Sequence, residues 1–268
     1  TLLLTPSKKK KIHIIVNYFE SSSIDEKGWA FSILTGKFTN KCIKYSDLKK
    51  MIKKKTSDEL FSYSYDYVGD FAETFSLLWP QKKSKKENIS LSYFMNKIVN
   101  FDDKKLLEEF LESIFNKVSS NEIYAIIKIL TGGLRVGVSE GILKESFSKL
   151  GKRNKFEIDE YWHGFSFPFQ NFFNWLNGGT LPPEINTKEL FHSFMLANSF
   201  EDKLIKEIEA KDFFSEFKWD GIRAQIIFSN SGKVYSRSGD DITESFPELE
   251  IKEKKLSIID GELVVKKK

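Results

Sequence analysis

Hydrophobic positions recur at helical spacing through most of the first two-thirds of the chain. Over residues 102–118, Leu106, Leu107, Phe110, Leu111, Ile114, Phe115 and Val118 form one apolar stripe, with Glu and Lys opposite, which predicts an amphipathic helix. A second helix is predicted from Asn121, with Ile123, Ile126, Ile127 and Leu130 facing inward, ending at Thr131-Gly132-Gly133. Ser139 is placed to cap a third, which carries Ile142, Leu143, Phe147 and Leu150. Upstream, Ile24 to Thr35 bears Trp29, Phe31, Ile33 and Leu34 and is closed by Gly36, a glycine C-cap. From Tyr63 to Pro80, Tyr67, Phe71, Phe75 and Leu78 keep helical spacing until Pro80 stops the run; these aromatics read as core. Gln81 to Asn88 reads as a basic polar loop, and Phe169, Phe172, Phe173 and Leu176 as a short helix ended by Gly178-Gly179.

The texture changes after Leu181-Pro182-Pro183. Phe213–Phe217, Arg223–Phe228, Lys233–Arg237 and Leu256–Val265 read as short strands, with Ser229-Asn230-Ser231-Gly232 as a hairpin turn. No regular repeat is present. The expected architecture is multi-domain, α then α+β: a helical domain over residues 1–183 and a sheet-bearing domain over 184–268.

A chain of 268 residues, 40% hydrophobic and 30% charged, can bury a substantial core in one or two domains. The net charge of +4 hides an uneven spread. Residues 1–55 hold 13 lysines against 4 acidic residues, so the remainder is net acidic. The basic end suits a polyanion, and equally a solvated lysine surface. Cys42 is the single cysteine, and His13, His163 and His192 are the only histidines, which excludes a disulfide framework and a Cys/His zinc site and fits a reducing, cytoplasmic setting. No apolar run approaches membrane-spanning length. The chain starts at Thr1 and ends on Lys266-Lys267-Lys268 directly after a predicted strand, so both ends read as cut and a fragment is expected.

Three stretches carry candidate chemistry. In Glu216-Phe217-Lys218-Trp219-Asp220-Gly221-Ile222-Arg223, a lysine follows apolar residues and precedes a glycine turn. Partial desolvation there would favour its neutral, nucleophilic amine, with Asp220 and Arg223 supplying one charge of each sign. Downstream, Ser236-Arg237-Ser238-Gly239 puts an arginine at a strand end, and Asp260-Gly261-Glu262 puts two carboxylates around a glycine. Amine, cations and carboxylates in that order are the parts of a nucleotidyl-transfer site. The third stretch is the interhelical loop Thr131–Ser139, where Gly132, Gly133 and Gly137 surround Arg135 ahead of a helix N-terminus capped by Ser139. Free N–H groups, a helix dipole and a guanidinium can hold a phosphate. On spacing alone an ordinary interhelical corner with a buried arginine is the commoner explanation.

The sheet section resembles the adenylation domain of ATP-dependent DNA ligases, on Glu216–Arg223, Ser236–Gly239 and Asp260–Glu262. Ser64-Tyr65-Asp66-Tyr67-Val68-Gly69-Asp70-Phe71-Ala72-Glu73-Thr74 and Thr131-Gly132-Gly133-Leu134-Arg135-Val136-Gly137-Val138-Ser139 resemble the helical DNA-binding domain of bacterial ligases of this type. The resemblance implies that Lys218 forms a covalent lysyl-AMP with ATP, supported by Asp220. It implies that Glu216 meets the adenine amino group, that Arg223 and Glu262 lie by the ribose, and that Arg237 faces the phosphate or the nick. Mg²⁺ is the implied counter-ion of the phosphates, with Glu262 as a possible ligand. Gly132, Gly133, Arg135, Gly137 and Ser139 are implied DNA contacts. The implied partners are ATP and nicked double-stranded DNA, with no membrane, for a cytoplasmic monomer that associates with the nucleoid when on DNA and serves replication, recombination or repair. The family's Glu-Gly strand, paired-lysine strand and OB-fold domain do not occur in these 268 residues, so the chain alone is expected to be weak or inactive. The competing readings are a non-catalytic fragment that binds nicked DNA, and an RNA ligase or capping-type nucleotidyltransferase, which shares Lys-x-Asp-Gly.

Overall fold

The computed structural model describes residues 2–39, 42–81, 87–194, 209–212, 214 and 217–265. Among them are eleven α-helices: α1 (Lys8–Ser21), α2 (Ile24–Leu34), α3 (Tyr45–Lys53), α4 (Asp58–Val68), α5 (Phe71–Leu78), α6 (Leu91–Ile98), α7 (Lys104–Phe115), α8 (Ser120–Leu130), α9 (Glu140–Leu150), α10 (Lys155–Tyr161) and α11 (Gln170–Leu176). Three strands follow: β1 (Ile222–Phe228), β2 (Lys233–Ser236) and β3 (Ser257–Leu263). Helices first and a small antiparallel sheet afterwards is the order that the hydrophobic periods predict. The chain forms two compact units, one of Thr1–Arg153 with Phe167–Thr180 and one of Asn154–Ser166 with Leu181–Lys268.

In the helical unit, polar caps set most of the boundaries. Ser7, Ser23, Ser57, Asp70, Ser90, Asp103 and Ser119 each accept a bond from a first-turn N–H that the helix cannot satisfy internally. Ser119 and Glu122 form a reciprocal capping box on α8. The apolar stripes then bury against one another. Phe75, Trp79 and Phe115 lie with ring centroids 5.2 to 5.4 Å apart, joining α5 to α7. A second aromatic cluster gathers Phe19 of α1, Phe31 of α2, Phe147 of α9 and Phe172 and Phe173 of α11. Helix α2 joins the two, since Trp29 belongs to the first cluster's core and Phe31 to the second.

Two details depart from the periodicity. The apolar run from Tyr63 to Pro80 is two helices, not one, because Gly69 takes φ +75° and Asp70 starts α5 as its cap. Tyr67 falls on the outer side of that break and is 92% exposed, and Leu106 lies on the solvent edge of its stripe.

The sheet unit has the strand order β2-β1-β3, both pairings antiparallel. Alternation along β1 gives two faces. Ala224 packs with Val234 and Ile251, joined by Ile226, Phe228, Leu249 and Leu263. On the other face Ile227 packs with Tyr235, Phe191 and Phe194. The Ser229–Gly232 turn holds Gly232 at φ +65° with its N–H donated to the Ser229 hydroxyl at 2.9 Å. The strand expected over Phe213–Phe217 is not found: Phe214 and Phe217 are exposed and outside any strand, and residues 213, 215 and 216 lie outside the described residues. The chain enters the sheet at Ile222 instead.

Candidate nucleotide and DNA sites

Residues Phe217 to Asp220 form an exposed lead into β1 with no regular secondary structure, so Lys218 and Asp220 both face solvent. Phe214 and Phe217 are exposed, and the expected desolvation of the Lys218 amine is not supplied by the described residues. Gly221 has a strict steric reason. A Cβ there would strike the Leu263 carbonyl oxygen at the end of β3 and come within 2.9 Å of Val264 Cγ1. The lead can cross the end of β3 only as bare backbone.

Register brings the next residues together. Arg223 of β1 pairs with Glu262 of β3, Nη1 to Oε1 at 3.8 Å, and the guanidinium lies 4.9 Å from the Phe194 ring centroid. Two residues on along the same face, Gln225 is 1% exposed. Its amide donates to Asp260 Oδ1 at 2.8 Å and to the His192 carbonyl at 3.0 Å, while its oxygen accepts from the His192 N–H at 2.8 Å. Asp260 and Glu262 therefore share one face of β3, each held by a β1 side chain. Tyr235 is opposite Gln225 in β2; burial first, then the Asp241 and Glu189 charges, push its phenol up to about 12.

Arg237 stands one residue past β2, exposed and with no partner among the described residues. Its turn is held by neighbours. Ser238 donates to Asp240 Oδ2 at 2.5 Å, and Gly239 takes φ +83° with the His163 ring against it, too close for any Cβ. His163 meets Phe191 edge-on at 4.9 Å. Glu216 lies outside the described residues. The structure thus groups Arg223, Asp260 and Glu262 on one sheet face and puts Lys218 and Asp220 on the exposed lead.

The fit of Mg²⁺ can be tested on the donor set. Among the described residues no group of three or more His, Cys, Asp or Glu side chains could hold a metal. Glu262, next to Asp260 on the same face, could be one ligand of an ion whose remaining positions are filled by phosphate oxygens and water, which is how Mg²⁺ usually binds.

In the helical unit the Thr131–Ser139 loop joins α8 to α9. Gly132 at φ +72° and Gly137 at φ +62° take left-handed backbone that side chains rarely adopt. Gly133 donates its N–H to the Lys128 carbonyl at 2.8 Å. Ser139 sits at the N-cap position of α9 but makes no side-chain cap bond. Arg135 is exposed and has no partner among the described residues, so the explanation by a buried arginine fails. The start of the loop is braced from α5. Lys128 donates to Asp70 at 2.5 Å, and Asp70 also caps α5. Burial pushes the Asp70 carboxyl up, but the bonds from Lys128 and from the Glu73 and Ala72 N–H groups outweigh it and hold the group below the ordinary aspartate range. The far side of the loop is braced from α1, where Lys11 donates to the carbonyls of Val136 at 3.0 Å and Gly137 at 2.6 Å.

Sequence reasoning missed Gln225, Phe194, His163 and Lys11. Of these only Lys11 left a signal: it stands four residues before Ile15 and eight before Phe19, on the buried face of α1.

Comparison with known proteins bears on both units. Residues 4–148 match the family described as DNA ligase N terminus, and residues 194–268 match the ATP dependent DNA ligase domain. A probable DNA ligase of Koribacter versatilis is 25% identical over 97% of this chain and 48% of its own length. A DNA ligase of Pyrobaculum calidifontis is 29% identical over 58% of this chain and 28% of its own. One from Thermoplasma volcanium is 23% identical over 77% and 39%. The chain belongs to the ATP-dependent DNA ligase family. It spans half or less of the length of these relatives.

Proposed function

We propose that the whole protein containing this chain is an ATP-dependent DNA ligase that seals nicks in duplex DNA through a lysyl-AMP intermediate. The observation that carries the reading is the Lys218-x-Asp220-Gly221-x-Arg223 sequence leading into β1, with Arg223 and Glu262 paired across to β3. The Lys218 amine attacks the α-phosphorus of ATP. A P–N bond forms, the bond to the β-phosphate oxygen breaks, and pyrophosphate leaves with the electron pair. The AMP then passes to a 5′-phosphate at the nick, and the 3′-hydroxyl displaces it as the strand closes.

Arg223 and Glu262 hold the ribose, Glu216 the adenine and Arg237 a phosphate, while Asp220 steadies the lead that carries the amine. Mg²⁺, when bound, offsets phosphate charge. On the helical side, Arg135 with Gly132, Gly133, Gly137 and Ser139 meets backbone phosphates, and the lysine-rich residues 1–55 add long-range attraction.

Incubation of the whole protein with α-labelled ATP and Mg²⁺ is expected to give a covalent label that a nicked DNA duplex discharges with sealing. Lys218→Arg is expected to abolish the label. Undiminished labelling of that variant would refute the role of Lys218, and use of GTP with RNA ends would move the protein to the capping class.

A further inference from the structure

We propose that Lys11 is a positioning residue of the Arg135 loop, a latch that turns the loop's N–H groups and guanidinium outward without itself touching the ligand. The inference rests on the reading of that loop as a DNA contact. Lys11 ends a run of four lysines, Lys8 to Lys11, that by composition alone would all be counted as phosphate contacts. Lys11 is different from its neighbours. It is only 8% exposed, on the side of α1 that carries Ile12, Ile15 and Phe19 toward α9. Among the described residues no carboxylate pairs with it, and its ammonium is given to two carbonyls of the loop, 125 and 126 residues away in sequence.

The consequence follows from peptide geometry. In a trans peptide the N–H points opposite to the C=O of the same plane. With the Val136 carbonyl turned toward Lys11, the Gly137 N–H is turned away from it; with the Gly137 carbonyl so turned, the Val138 N–H is too. Neither N–H has an acceptor among the described residues. Arg135 is the residue before the first of these fixed planes, so the bonds anchor the loop at its neighbour while its own guanidinium is exposed. A Cβ on Gly137 would lie 2.5 Å from Lys11 Nζ, so the ammonium and the glycine backbone are in close contact. Lys11 thus fixes one anion-facing side of the loop from behind, while Lys128 and Asp70 fix its start.

The test uses the full chain as wild type, Lys11→Met, Lys11→Arg, Arg135→Gln and the Lys11→Met/Arg135→Gln double variant, titrated with a nicked duplex over a salt series. Lys11→Met is expected to weaken binding about tenfold in the wild-type background, the size of one lost charge-assisted hydrogen bond, and much less once Arg135 is gone. Lys11→Arg, which keeps the donor, recovers most of the loss. Additive losses, with the salt slope reduced by about one for each residue, would make Lys11 a direct phosphate contact and overturn the proposal. Amide exchange on the free chain is the second readout. The Ile142 and Leu143 amides, both bonded to the Ser139 carbonyl at the end of the loop, should exchange faster in Lys11→Met while α1 amides do not change. Unchanged exchange there overturns the latch with no reference to DNA. If Arg135→Gln leaves binding and its salt slope untouched, the DNA reading of the loop fails, and the exchange result alone decides the role of Lys11.

Discussion

Gly221 makes the sheet site sterically possible, and the reason is local. Its Cα passes against the Leu263 carbonyl and Val264, where one added methyl has no room. Gly221→Ala is expected to destabilise the sheet unit by about 2 kcal/mol, a typical overpacking cost, because β1 and β3 must separate to admit it. Urea denaturation followed on that unit checks this, and an unshifted midpoint would show that the lead can move aside at no cost. The same residues explain why the site was partly legible in sequence. Lys218, Asp220, Gly221 and Arg223 are consecutive or nearly so, and their order alone points to the proposed chemistry. The ties that hold the site are not consecutive. Gln225 reaches His192 and Asp260, 33 and 35 residues away; the β1–β3 register sets Gln225 opposite Asp260, and the segment at His192 comes in from outside the strands. A buried glutamine within a strand has no pattern that names its partners.

At the scale of elements, helix existence was readable because the apolar stripe and the cap agree, as at Ser119 and Glu122 for α8. Where they conflict, the cap wins. Tyr67 and Phe71 are four apart, as helix neighbours are, yet Gly69 and the Asp70 cap divide them between α4 and α5. Asp70 then serves a second element through Lys128 of α8. Asp70→Asn keeps a capping oxygen but loses the ion pair. Since the Asp70 side chain is 35% exposed, solvent screening limits the expected loss to about 1 kcal/mol. The sign with pH follows from a lowered folded value. The stabilisation is complete above the ordinary aspartate value of about 3.9 and disappears as pH falls through the lower folded value. Wild type and Asp70→Asn should differ in melting temperature at neutral pH and converge in strong acid. A difference that persisted there would assign the loss to the cap and not to the pair.

At the scale of the whole molecule, each unit has its own apolar centre: Phe75, Trp79 and Phe115 in one, Ala224, Ile227 and Val234 in the other. Phe75→Ala should remove about 3–5 kcal/mol from the helical unit, the usual cost of truncating a buried phenylalanine. Calorimetry is expected to show two transitions, with Phe75→Ala lowering one and Ile227→Ala lowering the other. One transition moved equally by both variants would show that the two cores melt as a single cooperative block.

The connectivity of those units has a consequence for inheritance. Helix α10 and the turn that carries Trp162 and His163 belong with the sheet, although α11, later in the chain, belongs with the helices. The polypeptide changes units three times between Arg153 and Leu181. His163 is therefore encoded upstream of part of the helical unit while it packs against Gly239, two residues after Arg237. No single genetic crossover can exchange one unit intact for a homologue's. A hybrid joined at the Leu181-Pro182-Pro183 boundary would pair one parent's histidine with the other parent's arginine turn. The two segments of the sheet unit, Asn154–Ser166 and Leu181–Lys268, are thus bound to co-evolve at that contact, wherever else their sequences drift apart.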